Sequence, residues 1–270
     1  MTDADTPPVS LAIFGGGNMG AALLGGLIDA GWCRPDELAV VEVVASRRAE
    51  VAERYPGVVV GDSIARCAGA IIAVKPQDVA PATSAAVAAG ARRVLSIAAG
   101  VTVAALEAAA GDPGVAIVRA MPNTPAMVRA GASAISPGRA AREDDLVWAS
   151  SILEAVGTVV RVPEHQLDAV TGLAGSGPAY VMLVAEALIE GGVLVGLPRP
   201  TARALVTQLL VGSATLLQQT GELPEILRAN VTSPGGTTAA GLRALESHGV
   251  RAAFLDAVNS ATERSRQLGA

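Results

Sequence analysis

A glycine-rich turn near the N-terminus constrains this chain more than any other feature. Gly15-Gly16-Gly17-Asn18-Met19-Gly20 follows the apolar run 11–14 and opens a segment with helical spacing over 18–30. Gly15, Gly17 and Gly20 fit G-x-G-x-x-G. Between a strand and a helix, the first glycine permits a tight turn. The second lets backbone approach a pyrophosphate, and the third lets helix and strand pack closely. The helix N-terminus adds free N–H groups and partial positive charge, which favour an anion. The pattern predicts dinucleotide binding, against the plainer reading of a glycine-rich turn with no ligand.

The rest of the chain sets that turn in a larger plan. Apolar runs recur at 38–44, 58–60, 70–74, 94–98 and 115–118, with helical patterns at 47–55 and 103–110 between them. Continuous apolar runs suit strands covered on both faces. Residues 1–163 are therefore expected to form an α/β, doubly wound, Rossmann-type dinucleotide-binding domain. Beyond Pro163 the strand-like runs stop. Helical patterns follow at 177–195, 201–220, 222–230, 237–247 and 250–268, punctuated by Pro198, Pro200 and Pro224. Residues 164–270 are expected to form an all-α domain. Several of its helices are apolar on more than one face, as at 181–183, 205–206 and 209–211. Such a helix must be covered, and a small helical domain has little core to offer, so a homo-oligomer is expected.

Composition removes other classes. Apolar residues make up 51% and charged residues 17%, which excludes disorder over most of the chain. A net charge of −5 and an aromatic content of 2% leave no basic footprint or stacking platform for nucleic acid, and no polybasic patch for a membrane. The mean hydropathy of +0.45 raises the question of a membrane span. The stretch 177–197 is broken by Glu186 and Glu190, and 204–221 by six polar residues, so no transmembrane helix is expected. Residues 1–10 read as a short polar tail and not as a signal peptide. Cys33 and Cys67 lack a C-x-x-C partner, so no metal site is expected and the setting reads as cytoplasmic.

Two further features bear on a nucleotide. Glu42 lies 22 residues past Gly20, where an acidic residue holds the ribose 2′-hydroxyl in NAD-type folds. Arg47 and Arg48 follow and suit a 2′-phosphate instead, or simply a solvated helix turn. The signal on NAD against NADP is mixed. Nineteen of the twenty basic residues are Arg, and the single lysine, Lys75, sits at the end of the fourth apolar run.

Six motifs then occur in order: residues 15–20, Ala73-Val74-Lys75-Pro76, Ala98-Ala99-Gly100, 119–125 (RAMPNTP), 169–180 (AVTGLAGSGPAY) and 231–242 (VTSPGGTTAAGL). Together they resemble the pyrroline-5-carboxylate reductase family, from about residue 11 to 268. The resemblance implies a Rossmann-type domain followed by a helical dimerisation domain, with the active site at the dimer interface. It implies hydride transfer from NADPH, or NADH, to the C=N bond of 1-pyrroline-5-carboxylate, giving L-proline. Many members carry Asn-Arg or Ser-Ser after the second strand to bind a 2′-phosphate. Glu42-Val43 stands there in this chain, a departure from that pattern.

By the same resemblance, Phe14, Gly15, Gly16, Gly17, Asn18, Met19, Glu42, Ala73, Val74, Lys75, Pro76, Ile97, Ala98, Ala99, Met121, Asn123 and Asn230 bind the cofactor. Thr238 hydrogen-bonds the ring nitrogen, and Glu164 stands near the substrate amine. Ser233-Pro234-Gly235-Gly236-Thr237-Thr238 precedes a helical pattern, so its glycines expose consecutive N–H groups suited to a carboxylate. The plainer reading of that segment is helix capping by Ser233 or Thr237. Three other functions fit the same plan, and a reductase of a related cyclic imine, such as a six-membered ring, differs from the first reading by only one methylene. A β-hydroxyacid dehydrogenase needs a Lys or His donor for an alkoxide, and residues 164–270 hold no lysine. A silent dinucleotide-binding protein would have no use for the SPGGTT segment.

Overall fold

The computed structural model describes residues 9–64 and 66–269. The expected polar tail lies outside the described residues up to position 8, while Val9 and Ser10 already belong to the first strand. Contacts divide the chain into two compact units. One holds residues up to Ser176 together with Ser260–Ala270, and the other is Gly177–Asn259. The division falls later than the boundary expected at 163.

The first unit is an eight-stranded sheet. Its strands are β1 (Val9–Phe14), β2 (Leu38–Val41), β3 (Val59–Gly61), β4 (Cys67–Ile72), β5 (Arg93–Ser96), β6 (Ala116–Met121), β7 (Gly131–Pro137) and β8 (Gly157–Arg161). They lie in the order β3-β2-β1-β4-β5-β6-β7-β8. All neighbours pair in parallel except β6 with β7. The strand order reverses direction between β1 and β4, the point where doubly wound sheets bind ligands.

Side chains alternate between two apolar layers, as the period of a strand requires. Leu11, Ile13, Ile71, Leu95 and Val118 face one side, where α1 (Asn18–Asp29), α2 (Ala45–Arg54) and α5 (Glu143–Glu154) supply Leu23, Leu27, Val51, Ile152 and Leu153. Ala12, Phe14, Ile72, Val94 and Ile117 face the other. There α3 (Val79–Ala88) and α4 (Val103–Ala110) supply Ala86 and Leu106.

The short helix α6 (Leu167–Val170) leads into one π-helical turn, Thr171–Gly175, where the Ser176 N–H reaches back to the Thr171 carbonyl at 2.8 Å. Thr262 and Ser265 are buried, and the Ser265 hydroxyl donates to Asp168 Oδ1 at 2.7 Å.

The second unit is helical: α7 (Gly177–Leu194), α8 (Arg199–Thr220), α9 (Pro224–Asn230), α10 (Thr237–Ser247) and the start of α11 (Val250–Leu268). The α7 and α8 helices pack closely, because a Cβ on Gly192 would stand 3.0 Å from that of Ala202. Arg199 clamps Glu190 through both carboxylate oxygens, at 2.6 and 2.9 Å. Yet only Ala202 and Val206 of this unit are buried. Met182, Leu183, Leu205, Leu209 and Val211 are exposed.

One expectation is corrected here. Within the helical run Glu164–Leu194, an 18-residue window reaches a mean hydropathy of 1.4, enough by length and composition alone to cross a membrane.

Candidate active site

The glycine turn sits at the β1/β4 reversal. Gly15 has φ +109°, and a Cβ there would stand 2.6 Å from the Ala73 carbonyl oxygen. Only glycine meets both demands. At Gly20 a Cβ would collide with the Gly15 carbonyl oxygen, so the third glycine lets α1 close onto the turn. Nothing lies within 4 Å of a Cβ built on Gly17. That position is open, and the N-cap of α1 is Gly17 with no side chain capping it. The first amides of α1 have no side-chain cap, as an anion site needs. A dinucleotide pyrophosphate fits this cradle.

The other residues singled out in this unit end neighbouring strands. Ala73, Val74, Lys75 and Pro76 follow β4, and Ile97, Ala98 and Ala99 follow β5. Met121 closes β6, with Asn123 two residues beyond. They therefore share the rim of the sheet at the carboxyl ends of its parallel strands. Asn18 is exposed and Met19 half-buried.

Several of these side chains are committed to the fold. Phe14 and Ala98 lie in the apolar layer shared with α3 and α4, so they offer a ligand only backbone. Asn123 is buried. Its Nδ2 donates to the Ala174 carbonyl at 3.1 Å, and its Oδ1 accepts from the Ala132 N–H at 2.8 Å. Met121 abuts Gly175, where a Cβ would stand 2.6 Å from its Cε.

Glu42 directly follows β2 and is 5% exposed. Its Oε2 accepts from the Gly16 N–H at 2.9 Å, and its Oε1 from the Val44 N–H at 2.9 Å. Arg47 Nη1 stands 4.0 Å from Oε2. Arg48 turns to the backbone instead, donating to the carbonyls of Glu42 (2.7 Å) and Val43 (2.9 Å).

Glu164 is a tie within the first unit. Its Oε1 accepts from Arg119 Nη1 at 2.9 Å and from the Val103 N–H at 2.7 Å, at the first turn of α4. Sequence reasoning missed Arg119. The available signal was a lone cation in the apolar strand around 115–121, which a buried strand keeps only with a partner.

In the second unit, residues 233–238 lead into α10. Gly235 has φ +70°, and a Cβ on Gly236 would collide with Ser233 Oγ. The Gly236 N–H donates to the Ser233 carbonyl at 3.0 Å. The N-cap is Gly236, and no side chain caps the helix. Capping by Ser233 or Thr237, the plainer reading of this segment, is not what the structure holds. Thr237 and Thr238 begin the helix, whose first amides have no partner within it. Asn230 ends α9 and is exposed.

Comparison with known proteins agrees over nearly the full length of the chain. The sequence model described as pyrroline-5-carboxylate reductase dimerisation matches residues 164–268. The one described as NADP oxidoreductase, coenzyme F420-dependent, matches residues 10–100. The pyrroline-5-carboxylate reductase of Synechocystis sp. is 45% identical over 266 residues, covering 97% of this chain and 98% of that protein. The solved pyrroline-5-carboxylate reductase of Coxiella burnetii superposes with a TM-score of 0.89 at 33% identity, covering 98% of this chain and all of that one. The Plasmodium falciparum pyrroline carboxylate reductase, solved with NADP bound, gives a TM-score of 0.84 at 29% identity, covering 97% and 98%.

Proposed function

The chain belongs to the pyrroline-5-carboxylate reductase family, and from that premise we propose how its residues divide the work. The protein is an oxidoreductase of the CH–NH class and catalyses the last step of proline synthesis. It reduces the C=N bond of 1-pyrroline-5-carboxylate, taking up one hydride at carbon and one proton at nitrogen to leave L-proline. A reduced nicotinamide dinucleotide supplies the hydride, NADPH by family, with NADH also admitted.

The turn from Phe14 to Met19 holds the pyrophosphate, with Phe14, Gly15 and Gly16 setting the turn and the amides at the start of α1, from Gly17 to Met19, as donors. The observation that carries this assignment is the pairing of the Gly15–Ala73 approach with the open, uncapped Gly17. Ala73, Val74, Lys75 and Pro76, with Ile97, Ala98 and Ala99, form the rim along which the dinucleotide lies. Met121 and Asn123 shape its far end, and Asn230 makes a further contact to the cofactor. Glu42 sits on the adenosine side.

The substrate carboxylate is assigned to the second glycine-led helix start. The amides of Gly235, Thr237 and Thr238 and the hydroxyl of Ser233 supply donors there, supported by the absence of any side-chain cap. Gly236, whose own amide is turned to the Ser233 carbonyl, shapes the turn. The Thr238 hydroxyl hydrogen-bonds the ring nitrogen and orients the imine. An imine nitrogen is basic enough to arrive protonated, so a hydroxyl suffices and no lysine is needed. Glu164 is assigned to the substrate amine on the family resemblance alone.

The protein acts as an oligomer, which we assign as at least a homodimer in the cytoplasm. The exposed apolar faces of α7 and α8 are then covered by a second copy and not by lipid. Thr238→Ala tests the central role. Turnover is expected to fall by about 10²–10³-fold, the usual loss for one donor at a reacting centre, with dinucleotide affinity kept. Unchanged turnover removes Thr238 from the chemistry.

A further inference from the structure

The adenosine end of the cradle is already neutralised from within, and this bears on which dinucleotide the chain prefers. In doubly wound folds the end of β2 lies beside the adenosine ribose. A 2′-phosphate there needs cations and free amides. Three candidates stand nearby: the Val44 N–H, Arg47 and Arg48. Glu42 Oε1 takes the Val44 N–H, and its Oε2 draws Arg47 to 4.0 Å. Arg48 is spent on the carbonyls of Glu42 and Val43. The carboxylate itself is buried and anchored on the glycine turn through the Gly16 N–H. A Cβ on Gly16 would stand only 3.3 Å from Oε2, so the carboxylate lies against the turn itself. It cannot swing away without giving up both backbone bonds.

We propose that Glu42 is the specificity-determining residue of the cofactor site. It accepts the ribose 2′-hydroxyl, repels a 2′-phosphate, and makes this chain hold NADH more tightly than NADPH. The inference rests on the dinucleotide reading above and orders the two donors that reading admits. The geometry also explains why two arginines at the start of α2 do not make a phosphate site. Arg48 is held by the backbone around Glu42, and the charge nearest to Arg47 is the Glu42 carboxylate.

Equilibrium binding without substrate tests this directly. Dissociation constants of NADH and NADPH are measured by calorimetry on the full chain, as wild type, Glu42→Gln and the double variant Glu42→Gln with Arg47→Ala. Glutamine keeps the shape and one acceptor for Gly16 while removing the charge. In the wild type NADH is expected to bind about tenfold or more tightly than NADPH, the scale of a like-charge clash. In Glu42→Gln the NADPH constant should improve about tenfold with NADH changed far less, because Arg47 is released to the phosphate. The double variant should lose most of that gain.

Tighter NADPH binding in the wild type overturns the proposal even if the variants fold poorly. So does a preference unmoved by Glu42→Gln. Failure of both dinucleotides to bind folded wild type overturns the dinucleotide reading itself, and the proposal with it. Binding of both without the stated order overturns the proposal alone.

Discussion

The two compact units spend their apolar residues in opposite directions. In the first, Leu11, Ile13, Ile71 and Leu95 are wholly buried, because β1, β4 and β5, which carry them, have strands on both edges and helices on both faces. In the second, Met182, Leu183, Leu205, Leu209 and Val211 stand exposed, and only Ala202 and Val206 are buried. Composition alone does not distinguish the two. A sheet completes its own core within one chain, whereas a pair of long helices exposes its remaining faces. The second unit is therefore finished only by association, and a family model described as dimerisation covers it.

The largest effect should come from charging the exposed apolar face. Leu209→Glu places a carboxylate where a second copy is expected to pack. Losing one buried leucine and burying a charge together exceed about 3 kcal/mol, or more than a hundredfold in association. Sedimentation velocity should show dissociation, while the first unit keeps its unfolding transition. An oligomer unchanged by this substitution would place the interface elsewhere.

The complementary change lies in the sheet. Leu95→Ala leaves a cavity in a layer with no slack and should cost about 2–5 kcal/mol. Urea unfolding of the first unit reports it, and the oligomer should persist under native conditions. Equal effects of the two substitutions on association would dissolve the contrast between the units.

The smallest effect concerns the two thiols, both in the first unit. Burial pushes Cys67 up to about 11, and burial together with the charges of Glu37 and Asp36 does the same for Cys33. At pH 8 both should alkylate slowly, and Cys67, at 2% exposure, only on unfolding. The unfolded thiols ionise near 9.0, below the folded value. Their contribution to stability is thus complete below pH 9 and is lost as pH rises toward 11. Alkaline loosening should appear in the first unit's transition and leave the second unit's helicity unchanged. Rapid labelling of Cys67 in native protein at pH 8 would contradict its burial.

Sequence reading recovered local features and missed ties between distant residues. The β1–turn–α1 unit was legible because three glycines each do a different job within six positions. The strand β7, Gly131–Pro137, was not, since GASAISP carries one bulky apolar residue and reads as loop. The span 164–176 falls in the expected helical domain only because strand-like runs stop at Pro163. It packs in the first unit through Glu164 on Arg119 and Ala174 on Asn123, contacts that join residues 45 and 51 positions apart. The bond from Gly16 to Glu42 spans 26 positions. No periodicity encodes such pairs, so the sequence named Glu42 and left its allegiance open.

The most direct test of the account is substrate-dependent oxidation of the reduced dinucleotide. Purified oligomer is mixed with 1-pyrroline-5-carboxylate, and absorbance of NADPH and of NADH is followed in parallel, with proline measured in the product. The account predicts oxidation that requires the substrate and yields one proline per dinucleotide consumed. No oxidation of either dinucleotide by folded, oligomeric protein would contradict it.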